Sequence, residues 1–285
     1  MENKYNAETM EVKEVVPGLY EIDEYDCGSI FVFCGETEAL VIDTGTGIGN
    51  LKEVIEEITD GKSYQVILSH AHIDHMGGAY HFPKIMINEK DYSQSVIEHS
   101  KDVTERRNYA EFIRQREMKI YPYDIVKDIT EWEKVPEFVK IKKFPFDIEL
   151  GKRKITCLEC PGHTAGSIVF LDHTSRTLIV GDACNGYYIL ENSQENCIQK
   201  SAETAYNALK NIDGLRDKFD RIINGHHDFR EFGEPLDYQY LLDTLHGLEK
   251  IVQDEAVWTE EDSMISQSGI SYNFVFGKAK IAVID

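Results

Sequence analysis

Three histidines and an aspartate stand within six residues of this chain, in the run Ser69-His70-Ala71-His72-Ile73-Asp74-His75-Met76-Gly77-Gly78. Neutral imidazoles and carboxylates are ligands for borderline divalent metals such as zinc. An extended backbone carries residues two apart to the same side, so His70 and His72 can present both rings to one ion. Asp74 and His75 follow at a turn where a helix can begin. One metal can therefore take His70 and His72 while a second takes Asp74 and His75. The bland alternative is a polar loop with exposed histidines, and four ligand-type side chains at this density argue against it.

The short apolar run Val66-Ile67-Leu68 leads into this motif, and four more polar groups close strand-like runs in the same manner. Asp43 follows Leu40-Val41-Ile42, His163 follows the Cys160-Pro161-Gly162 corner, Asp182 follows Val180-Gly181, and His226 follows Asn224-Gly225. Short loops at the ends of rigid strands are where function concentrates. A Gly-His or Gly-Asp pair alone is ordinary turn chemistry; the whole set in this order is a site. His81, His99, His173 and His246 lack ligand-type neighbours and are expected at surface or internally satisfied positions. Cys157 and Cys160 have redox spacing, but in a strand residues three apart face opposite sides.

The positioning elements are legible from periodicity. Residues 11–43 form short runs broken by Pro17-Gly18, Gly35 and Gly45, the rhythm of an antiparallel meander. Leu51, Val54, Ile55 and Ile58 fall on one helical face, before the strand that ends at the metal motif. Ile85-Met86-Ile87 is a further strand. Residues 88–138 are charged, tyrosine-rich and helical in pattern, with Tyr109, Phe112, Ile113 and Arg116 on one face. They form an insertion that is either a structural cover or a substrate-shaping lid. Beyond it come Phe146–Leu150 paired with Ile155–Glu159 across Gly151, then Ser167–Leu171 paired with Thr177–Val180. A helix carries Ala202, Ala205, Tyr206 and Leu209, and a strand spans Arg221–Ile223. A second helix carries Leu241, Leu245, Leu248 and Val252, and a terminal hairpin carries Tyr272, Phe274 and Phe276 before Gly277. Each half reads as strands followed by helices. That pattern predicts one α/β (α+β) domain over 1–285, a four-layer αββα sandwich of two mixed sheets flanked by helices.

Bulk properties bound the partners. The 285 residues carry 42% hydrophobic side chains and a formal net charge of −21, from 30 basic and 51 acidic residues. Such a field opposes nucleic-acid phosphates and anionic membrane surfaces, so a small-molecule substrate is expected. The stretch from Met1 to Asn6 has no apolar run of signal-peptide type, and no segment is long enough to span a bilayer. Cys27, Cys34, Cys157, Cys160, Cys184 and Cys197 show no disulfide framework. A cytoplasmic enzyme with free thiols is the expectation. Oligomeric state leaves no mark.

The run His70-x-His72-x-Asp74-His75 with Gly77-Gly78 resembles the signature of the metallo-β-lactamase-fold hydrolases. Asp43 in Val41-Ile42-Asp43-Thr44-Gly45, His163 in Pro161-Gly162-His163-Thr164, Asp182 and His226 resemble that family's remaining motifs, in order. The resemblance implies a first metal held by His70, His72 and His163. It implies a second held by Asp74, His75 and His226, with Asp182 bridging and Asp43 orienting a ligand imidazole. The family often has a glycine where His227 stands, and position favours His226 as the ligand. Two divalent ions are implied, zinc first, with iron or manganese as alternatives. Ions so placed lower the pKa of a shared water from about 15.7 to about 7. Asp74 would orient the hydroxide and carry its proton, and Tyr187 and Tyr188 are candidates to meet the leaving group, with a core role as their alternative. Glyoxalase-II-like or lactonase-like hydrolysis of a thioester, lactone or similar ester is the activity implied. A mononuclear iron sulfur dioxygenase-like oxidoreductase and a phosphodiesterase or nuclease of the same fold are the alternatives.

Overall fold

The structure is a computed structural model that describes residues 10–191, 198–266 and 268–284. Strands β1 (Glu11–Val16), β2 (Leu19–Asp23), β3 (Ser29–Cys34) and β4 (Ala39–Ile42) pair antiparallel in chain order. Helix α1 (Leu51–Thr59) then returns the chain to β5 (Tyr64–Ile67), which is parallel to β4. The helix stops where Asp60 turns left-handed, followed by Gly61, and its Leu51, Val54, Ile55 and Ile58 are all buried, as their spacing predicts. Helix α2 (Ile73–Met76) is the short turn inside the metal motif. Strand β6 (Lys84–Asn88) and strand β7 (Glu137–Ile141) complete a seven-stranded sheet, both parallel to β5. Because β6 and β7 are neighbours, the segment between them leaves the sheet and returns to its next position. It contains α3 (Gln94–Lys101), α4 (Val103–Glu117) and α5 (Ile125–Asp128), the helical insertion expected over 88–138.

The second half builds its own sheet from β8 (Phe146–Glu149), β9 (Lys154–Glu159), β10 (Ile168–Asp172) and β11 (Thr177–Gly181). After β12 (Tyr187–Ile189) and α6 (Ile198–Asp213) comes β13 (Arg221–Asn224), which pairs parallel to β11 and gives the order β13-β11-β10-β9-β8. Helix α7 (Gln239–Val252) and strands β14 (Thr259–Asp262), β15 (Ile270–Phe276) and β16 (Ala279–Val283) follow. The terminal hairpin is real, and β12 and β14 extend it to a third, four-stranded sheet with order β12-β16-β15-β14.

Period-two alternation sorts side chains into layers. Phe31, Phe33, Leu40 and Ile42 of the first sheet meet Ile155, Cys157, Phe170 and Ile179 of the second in one buried cluster. The intervening Ile30, Val32 and Val41 point the other way, onto α1. Val169, Leu171 and Leu178 point out onto α6 and α7. Two sheets face to face between helices are the αββα sandwich. Cys157 lies in the inner cluster and Cys160 in the outer one, so that pair is split by the strand as expected. Five cysteines are free thiols, and Cys197 lies outside the described residues. Two details differ from the sequence reading. The buried stripe of α7 continues through Ile251, leaving Val252 at the surface, and Tyr272 is half exposed while Phe274 is buried. Among the described residues no helix is long and apolar enough to cross a membrane.

Candidate metal centre

The ends of five strands converge. Asp43 follows β4, the 69–75 motif follows β5, His163 follows β9, Asp182 follows β11 and His226 follows β13. These strands run in the same sense within each sheet, so their C-terminal loops meet at one edge of the sandwich. Close approach there requires glycine: a Cβ on Gly225 would stand 2.5 Å from Asp182 Oδ1 and 2.8 Å from the His75 ring.

His70, His72 and His163 form one lobe. Their ring centroids lie 4.6–4.8 Å apart, and His163 Nε2 stands 2.9 Å from His72 Nδ1. His163 Nδ1 donates to the Ile189 carbonyl at 3.0 Å, which leaves Nε2 as a bare lone pair facing its neighbours. His70 Nδ1 sits 3.0 Å from Ser69 Oγ, and its buried Nε2 has no partner. Asp74, His75 and His226 form the second lobe. His226 Nε2 lies 3.3 Å from Asp74 Oδ2 and 3.1 Å from Asp182 Oδ2. His75 Nε2 lies 3.6 Å from Asp182 Oδ1 and 3.7 Å from Asp74 Oδ2. Asp182 touches both lobes, since its Oδ2 is also 3.8 Å from His163 Nε2. Asp43 stands behind them. It accepts from the Ser69 amide at 2.6 Å, the Ser69 hydroxyl at 2.7 Å and His75 Nδ1 at 2.9 Å. One carboxylate therefore orients His75 directly and His70 through Ser69.

Electrostatics separates the lobes. Burial, with His163 beside it, drives His72 down to about 3, and burial with three neighbouring imidazoles holds His70 well below the usual histidine range. These rings are neutral and bare. In the second lobe burial opposes protonation, yet Asp74, Asp182 and Asp43 push His75 up to about 9, and Asp182 and Asp74 hold His226 well above the usual histidine range. His70 Nε2, His75 Nε2 and Asp182 Oδ1 are buried and unpartnered, a costly arrangement in a folded protein unless a ligand completes it. The donor set is all imidazole on one side and mixed imidazole–carboxylate on the other, chemistry that suits zinc, iron or manganese. The residues fit the group.

All seven sequence-derived ligands come together, and His226 rather than His227 faces the carboxylates. His227 turns away to Asp23 at 3.1 Å and Asp26 at 3.7 Å. That trio also has ligand-like spacing, but Lys119 (2.8 Å) and Tyr121 already pair with Asp26. The centre opens into a cavity of about 1010 Å³. Tyr187 lines it, whereas Tyr188 is buried in the outer core among the α6 and α7 side chains. His99, expected at a surface or satisfied position, is exposed and also reaches the cavity wall. Sequence reasoning placed Tyr109 on an insertion face without a role, yet its hydroxyl lies 2.8 Å from Asp74 Oδ2. It also missed Asp91, which receives Thr164 Oγ1 at 2.8 Å and the Gly166 amide at 2.6 Å, steadying the loop that carries His163.

Comparison with known proteins agrees with this fold. The acyl-coenzyme A thioesterase MBLAC2 of Homo sapiens is 22% identical over 247 residues, covering 78% of this chain and 81% of that protein. The sec-alkylsulfatase Pisa1 from Pseudomonas sp. superposes with a TM-score of 0.57 at 16% identity, over 86% of this chain and 42% of its own, so this chain spans less than half of that enzyme. The class B3 di-zinc metallo-β-lactamase LRA-12 from an Alaskan soil metagenome superposes with a TM-score of 0.55 at 18% identity, covering 88% and 97%. At such identities the superpositions speak for the fold. The sequence profile of the metallo-β-lactamase superfamily matches residues 26–226, from just before β3 to His226. The chain belongs to the metallo-β-lactamase superfamily of metal-dependent hydrolases.

Proposed function

We propose that this chain hydrolyses a thioester, lactone or similar ester with two divalent ions, zinc in the first instance. The observation that carries the reading is the two-lobed cluster with three buried, unpartnered donor atoms, His70 Nε2, His75 Nε2 and Asp182 Oδ1. His70, His72 and His163 would hold one ion and Asp74, His75 and His226 the other, with Asp182 between them. When bound, such ions act as Lewis acids that acidify water and polarise a carbonyl oxygen. The chain supplies the rest. Asp43 holds His75 with its Nδ1 proton outward, so that Nε2 keeps its lone pair for the site. Asp74, on the cavity wall, is placed to take a proton from the attacking water and pass it to the leaving group.

The cavity supports an acyl substrate. Ile73, Phe112, Ile189, Phe229, Met264 and Ile265 contribute apolar lining to it, and Tyr187, also in the lining, would meet the leaving group. The similarity to a protein named an acyl-coenzyme A thioesterase points the same way. Two donor trios that share no residue, His70, His72 and His163 and Asp74, His75 and His226, favour two ions over the single iron of a sulfur dioxygenase-like reading. A net charge of −21 disfavours nucleic acid as substrate, and five free thiols support a cytoplasmic location. A substrate panel tests the reaction: one acyl group offered as thioester and ester, together with a lactone, a phosphodiester and a β-lactam. The proposal expects the highest kcat/KM on a thioester, ester or lactone, abolished by His163→Ala. Preference for the phosphodiester or the β-lactam would overturn it.

A further inference from the structure

The helices between β6 and β7 lie over the metal centre, and one of their side chains enters it. Tyr109 Oη stands 2.8 Å from Asp74 Oδ2 and 3.1 Å from the Cys27 carbonyl oxygen. A phenol has one proton for these two acceptors, and the ionised carboxylate is the stronger one. Oδ2 is the Asp74 oxygen nearest His226 Nε2 (3.3 Å) and His75 Nε2 (3.7 Å). Tyr109 therefore grips the oxygen that faces the second lobe. It fixes the carboxylate rotamer and leaves fewer lone pairs free to choose another direction.

The helix bearing Tyr109 is clamped one turn earlier. Arg106 is fully buried on the same face of α4, and its guanidinium donates to the Thr46 carbonyl at 3.5 Å and to the Thr130 carbonyl. Thr46 belongs to the loop that begins at Asp43, the residue that orients His75. Ala110 and Ile113 continue that face into a buried cluster with Cys27 and Ile48. One helix is thus tied to the loop behind His75 and to Asp74 itself.

Resting on the two-ion reading above, we infer that the helical cover is a fixed part of the metal centre in which Tyr109 positions Asp74 for the second ion. Tyr109 is a positioning residue, and metal loading and ordering of α4 are two sides of one equilibrium. A packing role alone would tie neither Asp74 geometry nor α4 protection to the metal.

The test uses Tyr109→Phe in the full chain. Zinc affinity is read by chelator competition, the ligand field by the visible spectrum of the cobalt-substituted protein, and order by hydrogen exchange of residues 103–117 with and without zinc. Loss of an outer partner of a metal ligand weakens binding about 10- to 100-fold, and this is expected for the second ion, with the first unchanged. The cobalt spectrum shifts, and the zinc-dependent slowing of exchange in α4 seen in the parent protein is lost. On turnover, kcat falls with little change in KM. Unchanged second-ion affinity together with unchanged zinc-dependent protection would overturn the inference. His226→Ala separates the two levels of argument. If the parent protein binds a single ion, the two-ion reading fails; if the parent binds two and His226→Ala loses the second while Tyr109→Phe keeps it, only the role of Tyr109 fails. Should Tyr109→Phe not fold, Arg106→Lys keeps the charge and loses the planar fork. Weaker second-ion binding in that variant supports the clamp, and parent-like binding rejects it.

Discussion

Replacing Asp43 by Asn should uncouple the two ions. The carboxylate accepts three hydrogen bonds, from the Ser69 amide, the Ser69 hydroxyl and His75 Nδ1 at 2.6, 2.7 and 2.9 Å. Asparagine can keep its carbonyl oxygen on the Ser69 amide, but its NH2 then confronts the Nδ1 proton of His75. That proton loses its acceptor, or it moves to Nε2, where it blocks the nitrogen that faces Asp182 and Asp74. A hydrogen bond to a charged group contributes about 1.5–3 kcal/mol, equivalent to roughly 10- to 150-fold in Kd. His70 is held only through Ser69, whose hydroxyl can still accept from the His70 ring, so the first ion should change by about threefold or less. Stepwise zinc affinities by chelator competition, with metal content after dialysis, measure both. Equal weakening of both ions, or of neither, would refute the relay from Asp43 to His75.

The remaining expectations concern protons, choice of ligand and stability. His226→Ala should lose one ion, while His227→Ala keeps both because His227 pairs with Asp23 outside the cluster; metal analysis of the two variants decides it. Zinc binding should release protons near pH 7–8 chiefly from the second lobe, where His75 sits at about 9 and His226 is also raised, and calorimetry in buffers of different ionisation enthalpy counts them. For a raised pKa the stabilisation is full below the unfolded histidine value of about 6.5 and fades as pH climbs to about 9. The metal-free protein should accordingly melt at lower temperature at pH 9 than at pH 6.5, a trend that saturating zinc reverses. Arg230→Ala should destabilise the fold by about 3–5 kcal/mol. It would leave Glu21 buried and charged without the guanidinium now 2.6 Å away, and urea titration of the metal-loaded protein checks it.

The candidate ligands were legible as a cluster because most of their information is local. His70 to His75 lie in one loop, and Asp43, His163, Asp182 and His226 each follow a short apolar run with a turn signal, so type and place could be read without knowing the sheet order. The layers followed from alternation: Phe31 and Phe33 inward, Ile30 and Val32 outward. What escaped depends on contacts distant in sequence. Tyr109 meets Asp74 only because Arg106 seats α4 on the loop after β4, a matter of helix placement that no periodicity encodes. The third sheet pairs β12 with β16, nearly a hundred residues further along the chain. One signal was present and unused. Tyr187 and Tyr188 are consecutive in a strand, so they must face opposite sides, and only one of them could reach the site. Glu24 was silent as well. It is a buried acid that accepts the amides of Gly47 and Ile48 at 2.8 and 2.9 Å and holds the loop beyond Asp43.

The central claim is two ions in one centre, and anomalous diffraction at the zinc edge from crystals of the zinc-loaded protein tests it most directly. The account predicts two peaks, one among His70, His72 and His163 and one among Asp74, His75 and His226, with Asp182 beside both. A single peak at full occupancy, or a second peak at Asp23, Asp26 and His227 instead, would contradict it.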